Sequence, residues 1–342
     1  MAENSLRLSY APWGESLEEL SGAASSAEVA GFTEVWASEL HRSSFVQVSA
    51  MTQATETVGV GTAIALAFVR SPMTTALTAL DLDELSGGRF ILGLGSGVKR
   101  LNEDWHGATF GSPARHLRET IEIVRAVVAG AHVGKPIDYN GEWERVRVRG
   151  FERPFKPVRD RIPIYLASVG DVVTRLAGRV ADGWLGHELG SPRYLSERLI
   201  PNLQAGLSKQ GRDRDDLKVI ASACCVIDRD GRQARRWAAG LVAFYASVRT
   251  YEPFFEFHGF GAEARAIQER FRAGDEQGMV DACPDEMVDA LTLAGTAQEV
   301  RDKLRQYEGL ADGVKLSPPT HLVPAEVTRR AQASILENLS PS

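Results

Sequence analysis

Short apolar runs alternate along the chain with longer segments whose apolar residues recur every three to four positions. The short runs are typical of buried strands, and the longer segments have the period of amphipathic helices. Eight strands are predicted, at about residues 6–10, 32–37, 58–66, 89–94, 163–167, 183–187, 218–227 and 313–316. This regular alternation of strands and helices favours an α/β fold of the (β/α)8 TIM-barrel type over an open sheet, which normally needs fewer units.

The predicted helices carry recognisable start and stop signals. Ser16 opens a helix that closes at Gly31, and Pro72 is well placed at the start of another. Further helices are predicted at about residues 44–55, 113–128, 172–181, 192–210, 231–247, 296–309 and 325–336. Each predicted strand except the last is thus separated from the next by at least one helix.

Two segments interrupt this rhythm. A period of two at residues 143–148 predicts a hairpin, within an insertion at about 131–161 after the fourth strand. A second insertion, at about 250–284 after the seventh strand, is rich in aromatic residues and contains His258. No linker rich in Pro, Gly or Ser divides the chain, so residues 1–342 are expected to form a single barrel domain.

Composition narrows the classes of function. The 342 residues are 44% hydrophobic and 25% charged, as in soluble globular proteins. The net charge of −6 and the scattered basic residues argue against a nucleic-acid or membrane-surface binder. No apolar run has the length of a signal peptide or a membrane span, so a cytoplasmic location is expected. Three cysteines and seven histidines show no disulfide framework and no metal-ligand spacing, so no metal site is predicted.

A glycine-rich turn follows the fourth strand. Gly95, Ser96 and Gly97 place nearly bare backbone at a strand end, where a flat ring or a phosphate can approach closely. The turn lacks the third glycine of the dinucleotide fingerprint, and Arg115 and His116 stand where a ribose-binding acid is expected. The sequence therefore indicates a cofactor site that is not a nicotinamide Rossmann site.

Several segments, in their order along the chain, resemble the luciferase-like monooxygenase superfamily, and most closely its coenzyme F420-dependent branch. The segments that carry this resemblance are GFTEVWASE (31–39), RSPM (70–73), ELSGGRFILGLGSG (84–97), IPIYLAS (162–168) and AGRVADG (177–183). Weaker similarity at 243–247, 256–260 and 294–300 extends it over nearly the whole chain. The resemblance implies a TIM barrel with a cofactor at its mouth.

The resemblance also implies which residues hold a deazaflavin. Its ring would be backed by a bulge at the end of the third strand, with a non-proline cis peptide bond before or after Ile64. Its phosphate would lie at the start of the helix after the fifth strand, where an anion is favoured. The implied cofactor-binding residues are Ala63, Ile64, Ala65, Leu66, Ser96, Gly97, Ser168, Val169 and Gly170.

The catalytic positions depart from the resembling family. Its sugar-phosphate dehydrogenases carry Asp-His where this chain has Glu39 and Leu40, and a glutamate where it has Val98. Hydride transfer needs a proton donor or acceptor near the substrate, and Glu39, His41 and His187 are the candidates at the predicted barrel mouth. Glu39 could equally cap the next helix, and His41 could be a solvated loop residue.

Three functions remain open from the sequence. The leading hypothesis is a coenzyme F420-dependent oxidoreductase that moves a hydride between the deazaflavin and a small organic substrate. The alternatives are an FMN-dependent monooxygenase of the same superfamily and a cofactor-binding protein without turnover, because the family's acid and base are absent. The resemblance further implies a homodimer packed through helices near the second and third strands.

Overall fold

The computed structural model describes residues 6–340, which contain twelve strands and fourteen α-helices. The strands are β1 (Arg7–Tyr10), β2 (Glu34–Ala37), β3 (Gly59–Thr62), β4 (Ala65–Leu66), β5 (Phe90–Gly95), β6 (Ile137–Asn140), β7 (Arg145–Val148), β8 (Ile164–Ala167), β9 (Gly183–Leu185), β10 (Lys218–Ile227), β11 (Leu293–Gly295) and β12 (Gly313–Ser317). The helices are α1 (Leu17–Val29), α2 (Ser44–Gln53), α3 (Pro72–Leu85), α4 (Pro113–Gly130), α5 (Asp171–Val180), α6 (Pro192–Tyr194), α7 (Ile200–Lys209), α8 (Gly231–Ala246), α9 (Glu252–His258), α10 (Gly261–Arg272), α11 (Glu276–Asp281), α12 (Asp285–Leu291), α13 (Ala297–Arg305) and α14 (Ala325–Asn338).

Eight strands close into a parallel barrel. Their order is β1, β2, β3, β5, β8, β9, β10 and β12, and β12 pairs with β1 to complete the ring. At the closure Tyr10 stands opposite Leu316 on one side and Val35 on the other. The predicted (β/α)8 barrel is confirmed, and the mouth formed by the carboxyl ends of its strands is where sites of this fold lie.

The main apolar core fills the layer between the barrel and its helices. Strand residues such as Leu92 and Leu166 and helix residues such as Leu117 and Ile121 are fully buried there. Burial of these apolar surfaces drives the assembly. None of the helices within residues 6–340 is both long and apolar enough to cross a bilayer.

The third predicted strand, at 58–66, is not continuous. It divides into β3 and β4, and the peptide bond between Ala63 and Ile64 is cis, as the resemblance predicted. The sequence analysis missed β11, which has only three residues and pairs with the end of β10. The predicted sixth strand stops early, at Leu185, so residues 186–190 form a loop at the barrel mouth.

The two predicted insertions adopt different structures. The first contains the hairpin of β6 and β7, whose turn is held by Glu119 of α4, which accepts the backbone N–H groups of residues 142–144. The second is helical: α10 and α11 pack on α8, α9 packs on α10, and buried Phe255, Ile267 and Met279 belong to one apolar cluster. The second insertion therefore contributes a wall beside the mouth.

Candidate functional site

The ends of β3 and β5 approach each other unusually closely. The Thr62 hydroxyl donates to the Gly93 carbonyl oxygen at 2.7 Å, and the Gly93 N–H donates to Thr62 Oγ1 at 2.9 Å. A Cβ atom on Gly93 would lie 1.8 Å from the Thr62 carbonyl oxygen. Only glycine fits at this position, because the obstacle is backbone that cannot move aside.

Beyond this contact, residues 63–66 and 95–97 form a surface that we call the floor. A Cβ atom on Gly95 would lie 2.9 Å from Ile64 Cδ1, and one on Gly97 would lie 2.6 Å from Leu66 Cδ2. Gly97 also has a φ of +60°, which favours glycine. The segments predicted from the sequence to back and to contact a cofactor ring therefore pack directly against each other.

Glu39 holds the floor from the side. The Leu66 N–H donates to Glu39 Oε2 at 2.8 Å, the Arg70 Nη1 group donates to the same oxygen at 2.9 Å, and Arg70 Nη2 pairs with Oε1. The Glu39 side chain is only 7% exposed. Both carboxylate oxygens are thus engaged in orienting the bulge, and this geometry favours a positioning role over the proton transfer expected from the sequence.

A buried asparagine that the sequence analysis did not single out fixes the loop after β5. Asn102 Nδ2 donates to the carbonyl oxygens of Ser96, at 2.7 Å, and Val98, at 2.9 Å. The Val98 side chain is 42% exposed. These two hydrogen bonds fix the backbone of the loop at Ser96 and Val98.

The start of α5 provides an open helix N-terminus. Gly170 is its N-cap residue, no side chain caps the helix, and a Cβ atom on Gly170 would meet nothing within 4 Å. The Asp171 carboxylate accepts from Arg198 at 3.3 Å, and this pairing offsets part of its negative charge. The Ser168 hydroxyl accepts from Trp184 Nε1 at 2.8 Å and shares a hydrogen bond with Thr174. Ser168 is therefore oriented by its neighbours, and the backbone of residues 169–170 remains beside open space.

His187 lines a narrow cleft together with Ser168 and Val169. The Leu189 N–H donates to His187 Nδ1 at 3.3 Å, so the ring proton lies on Nε2 and is donated to the Tyr251 hydroxyl at 3.0 Å. Burial lowers the pKa of His187 to about 4. The imidazole is therefore neutral at pH 7 and orients Tyr251.

A charged pair lies next to His187. Lys315 Nζ is 3.8 Å from Glu188 Oε1, and the two side chains are 6% and 24% exposed. Burial is the largest single influence and raises the pKa of the Glu188 carboxyl, but Lys315, His187, the Ser317 hydroxyl and His321 together outweigh it, and the pKa lies below its usual value. Burial lowers the pKa of Lys315, against the opposing effect of Glu188. The barrel mouth thus contains two opposite charges that are largely shielded from solvent.

Aromatic and imidazole side chains surround this pair. The ring of Tyr245 lies 4.5 Å from that of His187 and 5.7 Å from that of His321. Burial raises the pKa of Tyr251 to about 12, so its hydroxyl keeps its proton at neutral pH. We call this group the polar cluster; its members are His187, Glu188, Tyr245, Tyr251, Lys315 and His321.

The third candidate, His41, lies at the edge of the polar cluster. Its side chain is exposed, and it makes the smallest contribution to a lowering of the pKa of His321 whose main cause is burial. Of the three candidates, His187 is the one that contacts other members of the polar cluster directly, through Tyr245 and Tyr251. Glu39 contacts the floor instead.

The sequence analysis missed Glu188, Lys315 and His321. One signal was available, because Lys315 is a charged residue inside the apolar run of the last strand and is 5% exposed. Its partner Glu188 follows a different strand and gives no local signal. The pairing becomes visible only when the barrel closes.

Other residues that the sequence brought to attention have structural contacts. His258 Nδ1 donates to the Phe254 carbonyl oxygen at 2.8 Å, and Nε2 accepts from the Ser191 hydroxyl at 2.7 Å. The three cysteines are free and buried. In the part of the chain that the structure describes, no three His, Cys, Asp or Glu side chains are grouped so that they could hold a metal ion.

Comparison with known proteins gives consistent matches. The family model described as luciferase-like monooxygenase matches residues 1–312. A 5,10-methylenetetrahydromethanopterin reductase of Archaeoglobus fulgidus is 30% identical over 301 residues, covering 85% of this chain and 87% of the relative. The coenzyme F420-dependent tetrahydromethanopterin reductase of Methanopyrus kandleri superposes with a TM-score of 0.83 at 23% identity over 98% of both chains. A Baeyer-Villiger monooxygenase component from Pseudomonas putida, solved in complex with FMN, superposes with a TM-score of 0.68 at 18% identity, over 99% of both chains.

Proposed function

Because the chain belongs to the luciferase-like monooxygenase family, we propose that it is a coenzyme F420-dependent oxidoreductase that transfers a hydride between the deazaflavin and a small organic substrate. The observation that carries the proposal is the floor, where Gly95 and Gly97 leave no room for a side chain. A surface of small and apolar residues packed closely together at a barrel mouth suits the face of a flat ring. A putative coenzyme F420-dependent oxidoreductase of Mycobacterium tuberculosis, 30% identical over 308 residues that cover 82% of this chain, supports the assignment to this branch.

The proposed cofactor contacts follow from the two openings described above. Ala63, Ile64, Ala65, Leu66, Ser96 and Gly97 form the surface for the ring. Ser168, Val169 and Gly170 form the phosphate site, since the first N–H groups of α5 have no side-chain cap and the helix dipole favours an anion. Arg198 pairs with the Asp171 carboxylate, which offsets part of the like charge beside that site.

The polar cluster handles the proton in this proposal. When bound, the deazaflavin supplies the hydride acceptor or donor. Tyr251 is the proton donor in the reducing direction, because its hydroxyl keeps its hydrogen at neutral pH while accepting from His187 Nε2. His187 orients Tyr251, and the exposed His41 is the candidate catalytic residue on the solvent side of the mouth. Glu39 acts as a positioning residue for the floor.

Calorimetric titration with oxidised coenzyme F420 and with FMN tests the cofactor assignment. We expect F420 to bind at least about tenfold more tightly, which corresponds to about 1.4 kcal/mol. FMN binding tighter by the same factor would overturn the proposal in favour of the FMN monooxygenase. Tight binding of F420 without turnover of any member of an alcohol and carbonyl panel would favour the third hypothesis, a binding protein.

We also propose a homodimer packed through the helices near β2 and β3. Two large apolar side chains on this side are half exposed, Leu40 at 48% and Val46 at 52%. Exposed apolar residues near one another are typical of an interface. Sedimentation velocity at micromolar concentration should show a dimer, and a monomer alone would remove the proposal.

A further inference from the structure

A groove on the outer surface of the barrel, between α4, α5 and α7, is lined by several basic side chains. It is open to solvent and has a volume of about 480 Å³. Its charged lining residues are Arg115, Arg118, Glu142, Arg175, Arg179 and Lys209. Five of these six are basic, although the whole chain has a net charge of −6. We call this feature the basic groove.

Most of these cations lack an acidic partner. Arg115 pairs with Glu142 at 3.0 Å, and it is the only one of the five with a carboxylate within 4 Å among residues 6–340. Arg175 donates to the neutral amide oxygen of Asn202 at 2.5 Å, and the buried Nε of Arg179 has no partner there. The positive charge is therefore available to an anionic ligand.

The basic groove begins next to the proposed phosphate site. Val172, which lines it, is two residues after Gly170, the N-cap of α5. Val172, Arg175 and Arg179 recur at helical spacing on one face of α5, so the groove extends about 10 Å from the start of that helix. A ligand that leaves the phosphate site along this face meets arginines at successive turns.

We propose that the basic groove binds the anionic tail of the cofactor beyond its phosphate, an inference that rests on the proposed function. Coenzyme F420 continues beyond its phosphate into a chain of carboxylates, whereas FMN ends at its phosphate. Carboxylates match the donor geometry of arginine, which can bind them through two parallel N–H groups. The basic groove thus distinguishes F420 from FMN at a place remote from the ring.

The test compares three ligands by calorimetry: F420 with several glutamates, F420 stripped of its glutamates, and FMN. We expect the wild type to bind the glutamate-bearing form about tenfold more tightly than the stripped form, with the ratio falling as salt is added. Arg175→Ala/Arg179→Ala should reduce that ratio to below about threefold. Arg175→Lys/Arg179→Lys should recover part of it, because the charge is retained.

Arg229→Ala/Arg272→Ala is the matched control, since both side chains are exposed and lie outside the groove lining. It should retain the wild-type ratio. Equal affinity for the two F420 forms would overturn the groove inference while leaving the proposed function intact. Failure of both F420 forms to bind, with FMN bound, would instead overturn the proposed function. A change from dimer to monomer in the Ala variant, with the ratio unchanged, would make the groove a subunit interface and overturn the inference.

Discussion

The two sides of the barrel mouth are built from opposite kinds of residue. On the β3 and β5 side, the floor consists of small or apolar residues, and its one carboxylate, Glu39, is fully engaged by Arg70 and a backbone N–H. On the β9 and β12 side, the polar cluster contains titratable groups around the Lys315–Glu188 pair. The difference indicates a division of labour, in which one side shapes a binding surface and the other moves protons.

The largest effect is expected from Lys315→Met. This substitution leaves the Glu188 carboxylate buried without its ammonium partner, and breaking a buried pair in this way costs about 3 kcal/mol of unfolding free energy. Urea denaturation measures the loss. The double variant Lys315→Met/Glu188→Leu should recover most of it, because no unpaired charge remains. A double variant no more stable than the single one would show that the pair is not the centre of the polar cluster.

Tyr251→Phe tests the chemistry of the polar cluster without changing its packing. Removal of the proposed proton donor should lower turnover of a carbonyl substrate about 100-fold while leaving F420 affinity unchanged. Steady-state kinetics and calorimetry measure the two effects. The matched control is Tyr139→Phe, which removes a hydroxyl of the hairpin insertion that donates to Glu122 of α4. This control should change neither turnover nor F420 affinity. A similar loss of turnover in the two variants would show that the Tyr251 hydroxyl is not the proton donor.

Gly97→Ala tests the floor. The new methyl group would meet Leu66 at 2.6 Å in a backbone conformation with φ of +60°, so F420 affinity should fall about tenfold. Gly107→Ala has nearly the same φ, +62°, but its methyl group meets nothing within 4 Å. Calorimetry should show that this control keeps the wild-type affinity. Equal weakening in both would mean that backbone conformation, and not the shape of the floor, sets the affinity.

The smallest effect concerns pH. The folded pKa of His187, about 4, lies below its ordinary value of 6.5, so between these values the unfolded chain binds more protons. The contribution of neutral His187 to the free energy of unfolding is therefore complete above pH 6.5 and is lost as the pH falls toward 4. His187→Gln should therefore show a smaller drop in urea midpoint between pH 7 and pH 5 than the wild type. His106→Gln, at an exposed position, should match the wild type; an unchanged drop in His187→Gln would contradict the burial argument.

The sequence predicted the floor better than the polar cluster, for a physical reason. Gly95 and Gly97 are neighbours in one segment, and the end of β3 carries its own run of small residues, so local pattern and family resemblance both reveal them. Glu188 and Lys315 are far apart in the chain, and β10 lies between their strands in the barrel. Their pairing depends on barrel closure, which a local pattern does not contain.

The same contrast applies to the fold. The length of β10 follows from its apolar run and matches the predicted residues 218–227, whereas the division between β3 and β4 depends on the contact of Thr62 with Gly93 across two strands. Likewise, the sequence identified Glu39 but not its role. Its bonds to Leu66 and Arg70 are made only in the folded chain.

The division of labour is tested most directly by one pair of matched substitutions, Glu39→Gln on the floor side and Glu188→Gln in the polar cluster. Both change a largely buried carboxylate to an amide, and both are read by calorimetric titration with oxidised F420. We expect Glu39→Gln to weaken F420 binding by at least about tenfold, because the amide keeps one acceptor oxygen but presents an NH2 group to Arg70 in place of the other, and we expect Glu188→Gln to stay within about threefold of the wild type. Equal weakening in the two variants, or weakening in Glu188→Gln alone, would contradict this division.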